Sequence, residues 1–405
     1  MEAPFERSAE LPVQSTFASR RHAQLEHATA VSPFEVERLR GAAETLERIA
    51  QLRLSGSAST GFQSEQWLAA LFQEFAPHAG AEPNLLIVRR RYTGSVALAL
   101  PLLVRKVGLL RFAEFADLGL SDYCAPLIGE DGPVTKEEMA ALLKDMRAAL
   151  SDVDVIRLEK MPTVIEGSFN PLLLPNGAQP SRFSGNQLTV ATTVKDYITS
   201  RGKKYRKEVE RSRRRLEDEG EVTLTRVTSP SEIDRAYRLL EAWQVSRQMD
   251  LGHEYCLDQP EISAFYRELL VTGRSSEFAS LFTLNVNGQP MAALLGITQG
   301  KRFTLLRIAD AGKAWSHCSP GRMIVIETMH DLVTRGITTF DMGIGSYPFK
   351  RWIGCEPYPL YDRLVAISAL GRAHVLSDSL KRRARANPTL LAIVRRIRHL
   401  SGRQA

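Results

Sequence analysis

The chain has 405 residues, 44% of them hydrophobic and 24% charged, with 53 Lys and Arg against 46 Asp and Glu for a net charge of +7. This balance excludes a collagenous, low-complexity or wholly disordered protein, and the length predicts two or three domains, each able to bury a core. No apolar run approaches the roughly 20 residues of a membrane-spanning helix. The polar start, with Glu2 and Glu6, lacks the basic-then-apolar pattern of a secretory signal, so a cytoplasmic protein is expected.

Residues 1–31 carry no steady period and read as a loose arm. Ser32-Pro33 then predicts a helix start, with Val36, Leu39, Ala43, Leu46 and Ile49 on one stripe and an end near Ser55-Gly56. A Ser/Gly/Thr linker follows, then a helix over 64–75, a strand pair over 84–92 and 95–104 turned by Thr93-Gly94, and a glycine-punctuated stretch over 112–128. A helix over 135–150 and strands at 154–158 and 188–192 complete the first half. The second half is clearer. A basic helix ends at Gly220, and a strand over 221–227 leads to helices from Ser231 and from Pro260. Asn287-Gly288 between two apolar runs is a strong hairpin signal. A third strand over 302–308, a helix over 321–334, a buried strand over 339–342, a loop-helix segment and a last strand over 364–368 follow, a mixed α/β order.

Charge is concentrated in two places. From Arg201 to Arg215 nine cationic side chains face only Glu208 and Glu210, and from Leu376 to the end eight face only Asp378. The inner block is either a solvated helix face or an anion site. No stacking aromatics accompany it, so nucleic acid is not the expected partner. The tail segment Pro388–Leu400 mixes apolar residues with arginines. It reads either as a helix packed on its own domain or as a peripheral contact with an anionic membrane. Cys124, Cys256, Cys318 and Cys355 form no CxxC pair, and the eight histidines form no HExxH, so no disulfide frame and no metal is expected.

Three constellations can carry chemistry. Cys318-Ser319-Pro320-Gly321-Arg322 stands between a strand and a long helix, where free N–H groups suit a phosphate; the alternative is plain capping by Ser319. Asp341-Met-Gly-Ile-Gly-Ser-Tyr347-Pro-Phe-Lys350 closes a buried strand with a carboxylate, followed by a phenol and an amine. Asp341 would orient a group or accept a proton, Tyr347 donate one and Lys350 stabilise negative charge; capping, packing and solvation are the plain alternatives. Ser121-Asp122-Tyr123 is either a turn or a substrate contact in an interdomain cleft. Asp250, His253 and Glu254 read as loop residues. No GxSxG, P-loop or GxGxxG fingerprint is present.

The basic Lys203-Lys-Tyr-Arg-Lys helix, the Asn287-Gly288 hairpin, His317-Cys-Ser-Pro-Gly-Arg, Phe340-Asp341 and Tyr347-Pro-Phe-Lys350 together resemble the acetyltransferase family named after the cellulose-biosynthesis protein CelD, of the GNAT-like superfamily. Phe349-Lys350-Arg-Trp-Ile-Gly354 is also similar to the Phe-Lys-x-x-Phe-Gly signature of the Fem aminoacyltransferases. The resemblance spans roughly residues 60–370.

It implies an α/β protein with two tandem GNAT-like domains and mixed sheets, packed face to face. The expected units are an arm plus helix (1–60), a degenerate first domain (61–195), a donor-binding second domain (196–372) and a basic helical tail (373–405). It implies transfer of an acetyl or acyl group from acyl-CoA, without a metal, to an amine or hydroxyl of a sugar, polysaccharide precursor or related metabolite. The co-substrate would rest on Cys318, Ser319, Gly321 and Arg322. Asp341, Tyr347 and Lys350 would be catalytic, and Asp122 and Tyr123 would touch the acceptor. The Gly-Asp-Glu loop common in the family is here Gly343-Ile-Gly-Ser, so a carboxylate role falls to Asp341. The helical hairpin of Fem enzymes is missing, which weighs against a tRNA-borne donor. The rival readings are a non-catalytic subunit of a polysaccharide-synthesis complex and an aminoacyl-tRNA-dependent transferase.

Overall fold

The computed structural model describes residues 32–386 apart from 55, 175, 191, 251 and 253–258. The arm, the Pro388–Leu400 segment, His253, Glu254 and Cys256 lie outside the described residues. The chain opens on strand β1 (Phe34–Arg40), and only then on helix α1 (Ala42–Leu54). This corrects the single helix expected from Ser32. Phe-Glu-Val-Glu alternates with period two and pairs antiparallel with residues 84–90, and Gly41 breaks the chain between the two elements at φ +96°.

Helix α2 (Glu65–Ala70) is capped by the Ser64 hydroxyl and followed by the meander β2 (Glu82–Arg90), β3 (Val96–Val107) and β4 (Leu110–Phe115). The short β5 (Leu127–Ile128) pairs with β3. Helix α3 (Lys136–Ala149), capped by Thr135, returns the chain to β6 (Val155–Pro162), parallel to β4. A small ribbon of β7 (Val164–Ile165) and β8 (Ser168–Phe169) precedes β9 (Gln179–Thr189). Helices α4 (Val194–Ser200) and α5 (Lys203–Glu219) lead to β10 (Val222–Val227), α6 (Pro230–Asp250) and α7 (Pro260–Gly273). The hairpin of β11 (Ala279–Val286) and β12 (Gln289–Gln299) turns at Asn287 and Gly288, both at positive φ, and continues into β13 (Arg302–Asp310). Helix α8 (Pro320–Thr334) crosses to β14 (Thr339–Asp341), parallel to β13. Helix α9 (Pro348–Ile353), β15 (Glu356–Ala366) and α10 (Ala369–Ala386) finish the described chain.

The same order occurs twice: strand, two helices, three-strand meander, helix, parallel strand. The last strand of each copy is exchanged. The second half's β15 pairs with β6 of the first, and the first half's β9 pairs with β14 of the second. One 13-stranded sheet results, ordered β1-β2-β3-β4-β6-β15-β9-β14-β13-β12-β11-β10, with β5 beside β3.

The halves also share a core. Trp67 on α2 meets Phe265 on α7 edge-on at 4.9 Å, among Phe62, Leu71, Tyr237 and Leu295. The nearly buried Arg307 of β13 is held by Tyr237 and by Gln244 (2.8 Å), which pins α6 to the sheet. The basic α5 packs Tyr205, Val209 and Leu216 into a separate core with α8, while Lys203, Lys204, Lys207 and Arg211 face solvent.

Candidate active site at the junction of the halves

Asp341 is the last residue of β14. Its strand pairs with β13 only from Arg302–Thr339 to Thr304–Asp341, whereas β13 runs on to Asp310. The two parallel strands therefore part beyond Asp341. Asp341 is fully buried and accepts hydrogen bonds from the Tyr123 hydroxyl (2.5 Å), the Tyr358 hydroxyl (3.0 Å), Arg302 Nη1 (2.8 Å) and the Gly343 N–H (2.9 Å). Arg302 also donates to Gln187 Oε1 at 2.9 Å. Asp341, Tyr123, Tyr358, Arg302 and Gln187 line a cavity of about 370 Å³ whose other walls include Ser59, Thr60, Phe62, Glu166 and Thr304.

The loop carrying Asp122 and Tyr123 is held from three sides. Trp67 Nε1 donates to Ser121 Oγ (3.1 Å), Gln63 Nε2 to the Tyr123 carbonyl (3.3 Å) and Lys160 Nζ to the Ser121 carbonyl (2.5 Å). Lys160 also pairs with Asp117 at 2.7 Å. It reaches inward because the β6–β15 register shifts beside it and its own backbone is left-handed, at φ +57°. The Asp122 carboxyl accepts the Ile344 N–H and lies against Gly343, where a Cβ would come within 2.2 Å of Asp122 Oδ2. Glycine is thus required at 343 both for this contact and for its φ of +72°.

Burial and the neighbouring Asp341 charge push the Asp122 carboxyl up to about 7. Burial pushes Asp341 up as well, opposed by Arg302 and its donors. With four donors around it, Asp341 is the better seat for the negative charge. Asp122 is the member of the pair poised to exchange a proton near neutrality.

Lys350 and Tyr347 take other places. The buried Lys350 amine donates to the carbonyls of Gly343 (3.0 Å) and Ile344 (2.7 Å), bracing the loop after Asp341. Burial holds its pKa below the usual lysine range, opposed by Asp122 and Asp341. Tyr347 is 59% exposed, stacked on Phe349 and under the Lys350 amine, and is not part of the cavity wall. The phenols at Asp341 are those of Tyr123 and Tyr358.

Sequence reading missed Tyr358, Arg302, Gln187 and Lys160. The signal for Tyr358 was masked by Pro357 and Pro359, which argue against a strand interior. Both prolines precede Leu360, where pairing with β6 begins, so there the strand has only β9 as a partner.

At the α8 turn, Ser319 adopts a left-handed conformation (φ 54°) and makes no side-chain cap bond. The Cys318 side chain is fully buried in the second-half core, so at this turn only its backbone is available to a ligand. Arg322 is committed to Glu208 (2.8 Å) and lies over the Trp352 ring. The Arg322 and Met323 amides both return to the Ser319 carbonyl, at 3.0 and 3.1 Å. Asp310 Oδ2 would stand 2.5 Å from a Cβ at Gly321. The helix N-terminus is therefore present without a side-chain cap, but a carboxylate stands beside it. Asp250 pairs with Lys313 at 3.1 Å on the surface, away from the Asp341 cluster.

The duplicated α/β order with its exchanged strand is a tandem GNAT-like fold. Residues 203–351 match the family model described as an acetyltransferase (GNAT) domain. The chain is similar to a solved structure titled crystal structure of FemX, with a TM-score of 0.56 and 13% identity over 81% of this chain and 97% of that one. It is similar, at TM-score 0.51 and 13% identity over 84% of this chain and all of the other, to a conserved protein of unknown function from Bacteroides thetaiotaomicron. A tandem GNAT protein from the clavulanic acid biosynthesis pathway matches at TM-score 0.44 and 13% identity, over 82% of this chain and 99% of that one. No curated protein matches the sequence.

Proposed function

We propose that this chain transfers an acyl group from acyl-CoA to an amine or hydroxyl of a saccharide or a related polyhydroxylated acceptor. The observation that carries the reading is the Asp341–Tyr123–Tyr358 cluster, set on a cavity built by both halves beside the point where β13 and β14 separate. Hydroxyl and amide groups of Ser59, Thr60, Gln187 and Thr304, with the aromatic faces of Phe62 and Tyr358, suit a polyol. A separate cleft of about 820 Å³, lined by Lys160, Arg182, Ile344 and Arg382 among others, shares no wall with this cavity.

In this reading the acceptor lies in the cavity and the thioester between the parted strands. The acceptor nitrogen or oxygen attacks the acyl carbon, and the β13 edge beyond Thr304 supplies main-chain N–H groups to the developing oxyanion. The acceptor proton passes to the Asp341–Asp122 pair as the new bond forms. The C–S bond then breaks and the thiolate takes up a proton, so no external oxidant or base is consumed. Lys350 acts as a positioning residue through the Gly343 and Ile344 carbonyls. The CoA diphosphate would lie at the α8 N-terminus, on the Gly321 backbone amide, with Asp310 displaced from it.

Isothermal titration with acetyl-CoA tests the donor, and heat with a 1:1 endpoint is expected. No heat at millimolar concentration would instead favour a non-catalytic subunit. With an acceptor in hand, Asp341→Asn is expected to lower kcat by about 10²-fold or more while leaving acetyl-CoA binding intact. Unchanged turnover would remove Asp341 from the chemistry.

A further inference from the structure

We propose that the outer face of α10, together with the β3–β4 hairpin tip, rests on an anionic lipid surface. Ala373, Leu376 and Leu380 lie along one stripe of α10 at spacings of three and four, with Leu376 63% and Leu380 56% exposed. The exposed cations Arg372, Lys381 and Arg383 flank that stripe. The opposite side of the helix is the docked one. The His374 ring meets Phe112 edge-on at 5.4 Å, and Arg382 pairs with Asp378 (2.7 Å) and Asp362 (3.6 Å). Among the described residues the leucine stripe is therefore left without a partner.

A second apolar point stands beside the start of the helix. The hairpin tip exposes Val107 and, at 84%, Leu109, next to the exposed Lys106. Asp154 ties the tip's base to that start: it accepts the Arg111 N–H (2.8 Å) and the Ser368 hydroxyl (2.5 Å) just ahead of α10.

Apolar anchors ringed by cations fit the headgroup boundary of an anionic bilayer, where leucines enter the acyl region and arginines meet phosphates. Charge argues against the other occupants. From Arg372 to the C-terminus nine cationic residues face only Asp378, so a second copy of this chain would set like charges together. Nucleic acid would gain nothing from exposed leucines in a face without stacking aromatics. Among the described residues no helix is long and apolar enough to cross a membrane, so the contact lies on the surface. This inference does not depend on the transferase reading.

Co-sedimentation of the full chain with vesicles tests it. Binding is expected to vesicles containing about a third phosphatidylglycerol but not to pure phosphatidylcholine, with release at about 0.5 M salt. Leu376→Gln with Leu380→Gln should weaken binding about tenfold or more, with the melting curve preserved because both side chains are already exposed. No binding to anionic vesicles would overturn the proposal, as would equal binding by wild type and variant. Salt-sensitive capture by heparin, equal in both proteins and without vesicle binding, would also overturn it and assign the cations to a polyanion.

Discussion

Asp122 and Asp341 come from opposite halves of the chain and meet at the Gly343–Ile344 backbone, so full negative charge on both is costly. The four donors at Asp341 favour its ionised form, and Asp122, pushed up to about 7, keeps its proton longer. A carboxyl whose folded pKa is raised holds a proton that the unfolded chain has already released. Between about pH 4 and pH 7 the folded state therefore binds more protons, and stability falls as pH rises through that window. Asp122→Asn removes that slope. The variant should melt higher relative to wild type at pH 8 than at pH 5, by circular dichroism at both pH values. An identical difference at the two would mean that Asp122 does not titrate there. Lys350 has a different character: its amine spans two carbonyls of one loop, so its charge acts through the backbone that Asp341 and Asp122 both touch.

Two elements place these groups. Tyr358 on β15 lies directly opposite Gly185 on β9, and its ring covers the space a side chain would need, with Cζ only 2.2 Å from an ideal Cβ. Gly185→Ala must push the phenol off Asp341. It should cost about 1–3 kcal/mol of stability as overpacking and lower turnover more than it changes acetyl-CoA affinity. A crystal structure of the variant with Tyr358 still on Asp341 would contradict this account. The α8 N-terminus makes the second case. Asp310 would oppose a diphosphate placed beside Gly321, so Asp310→Asn is expected to tighten acetyl-CoA binding several-fold in a titration, consistent with the small energies of charges at helix ends. Weaker or unchanged binding would move the diphosphate away from this turn. Arg322, stacked on Trp352 and paired with Glu208, joins α8, α9 and α5 and serves packing at that corner.

For the whole molecule the exchanged strands decide the architecture. β15 sits between β6 and β9, with the second half supplying an interior strand to the first. A fragment of residues 1–190 would expose the β6 edge and lose the α7 side of the Trp67 core. Expressed alone it should aggregate, and co-expression with 191–405 should restore a soluble complex by size-exclusion chromatography. A soluble, cooperatively folded 1–190 fragment would refute the claim that the halves depend on each other. The same exchange explains the site. Tyr123, Asp341 and Tyr358 are 218 and 17 residues apart along the chain, and they meet because β15 and β9 cross the joint.

Much of this was legible in the residue order. Period and turn chemistry, above all Asn287-Gly288, marked most elements of both halves, because these signals are local. Asp341 was legible as a carboxylate ending a buried strand, and Asp122 with Tyr123 as a loop pair. Tyr347 was read into the chemistry and Tyr358 left out, because nearness along the chain favours the first and only pairing across the sheet brings in the second. The β1 strand was likewise hidden, since seven residues that fit either period become a strand once β2 offers its edge. Sequence by itself determined the elements and the types of chemical group available. The tertiary structure decided which of those groups share a cavity and which carboxyl keeps its proton, since burial and long-range pairing arise only when both halves close on one sheet.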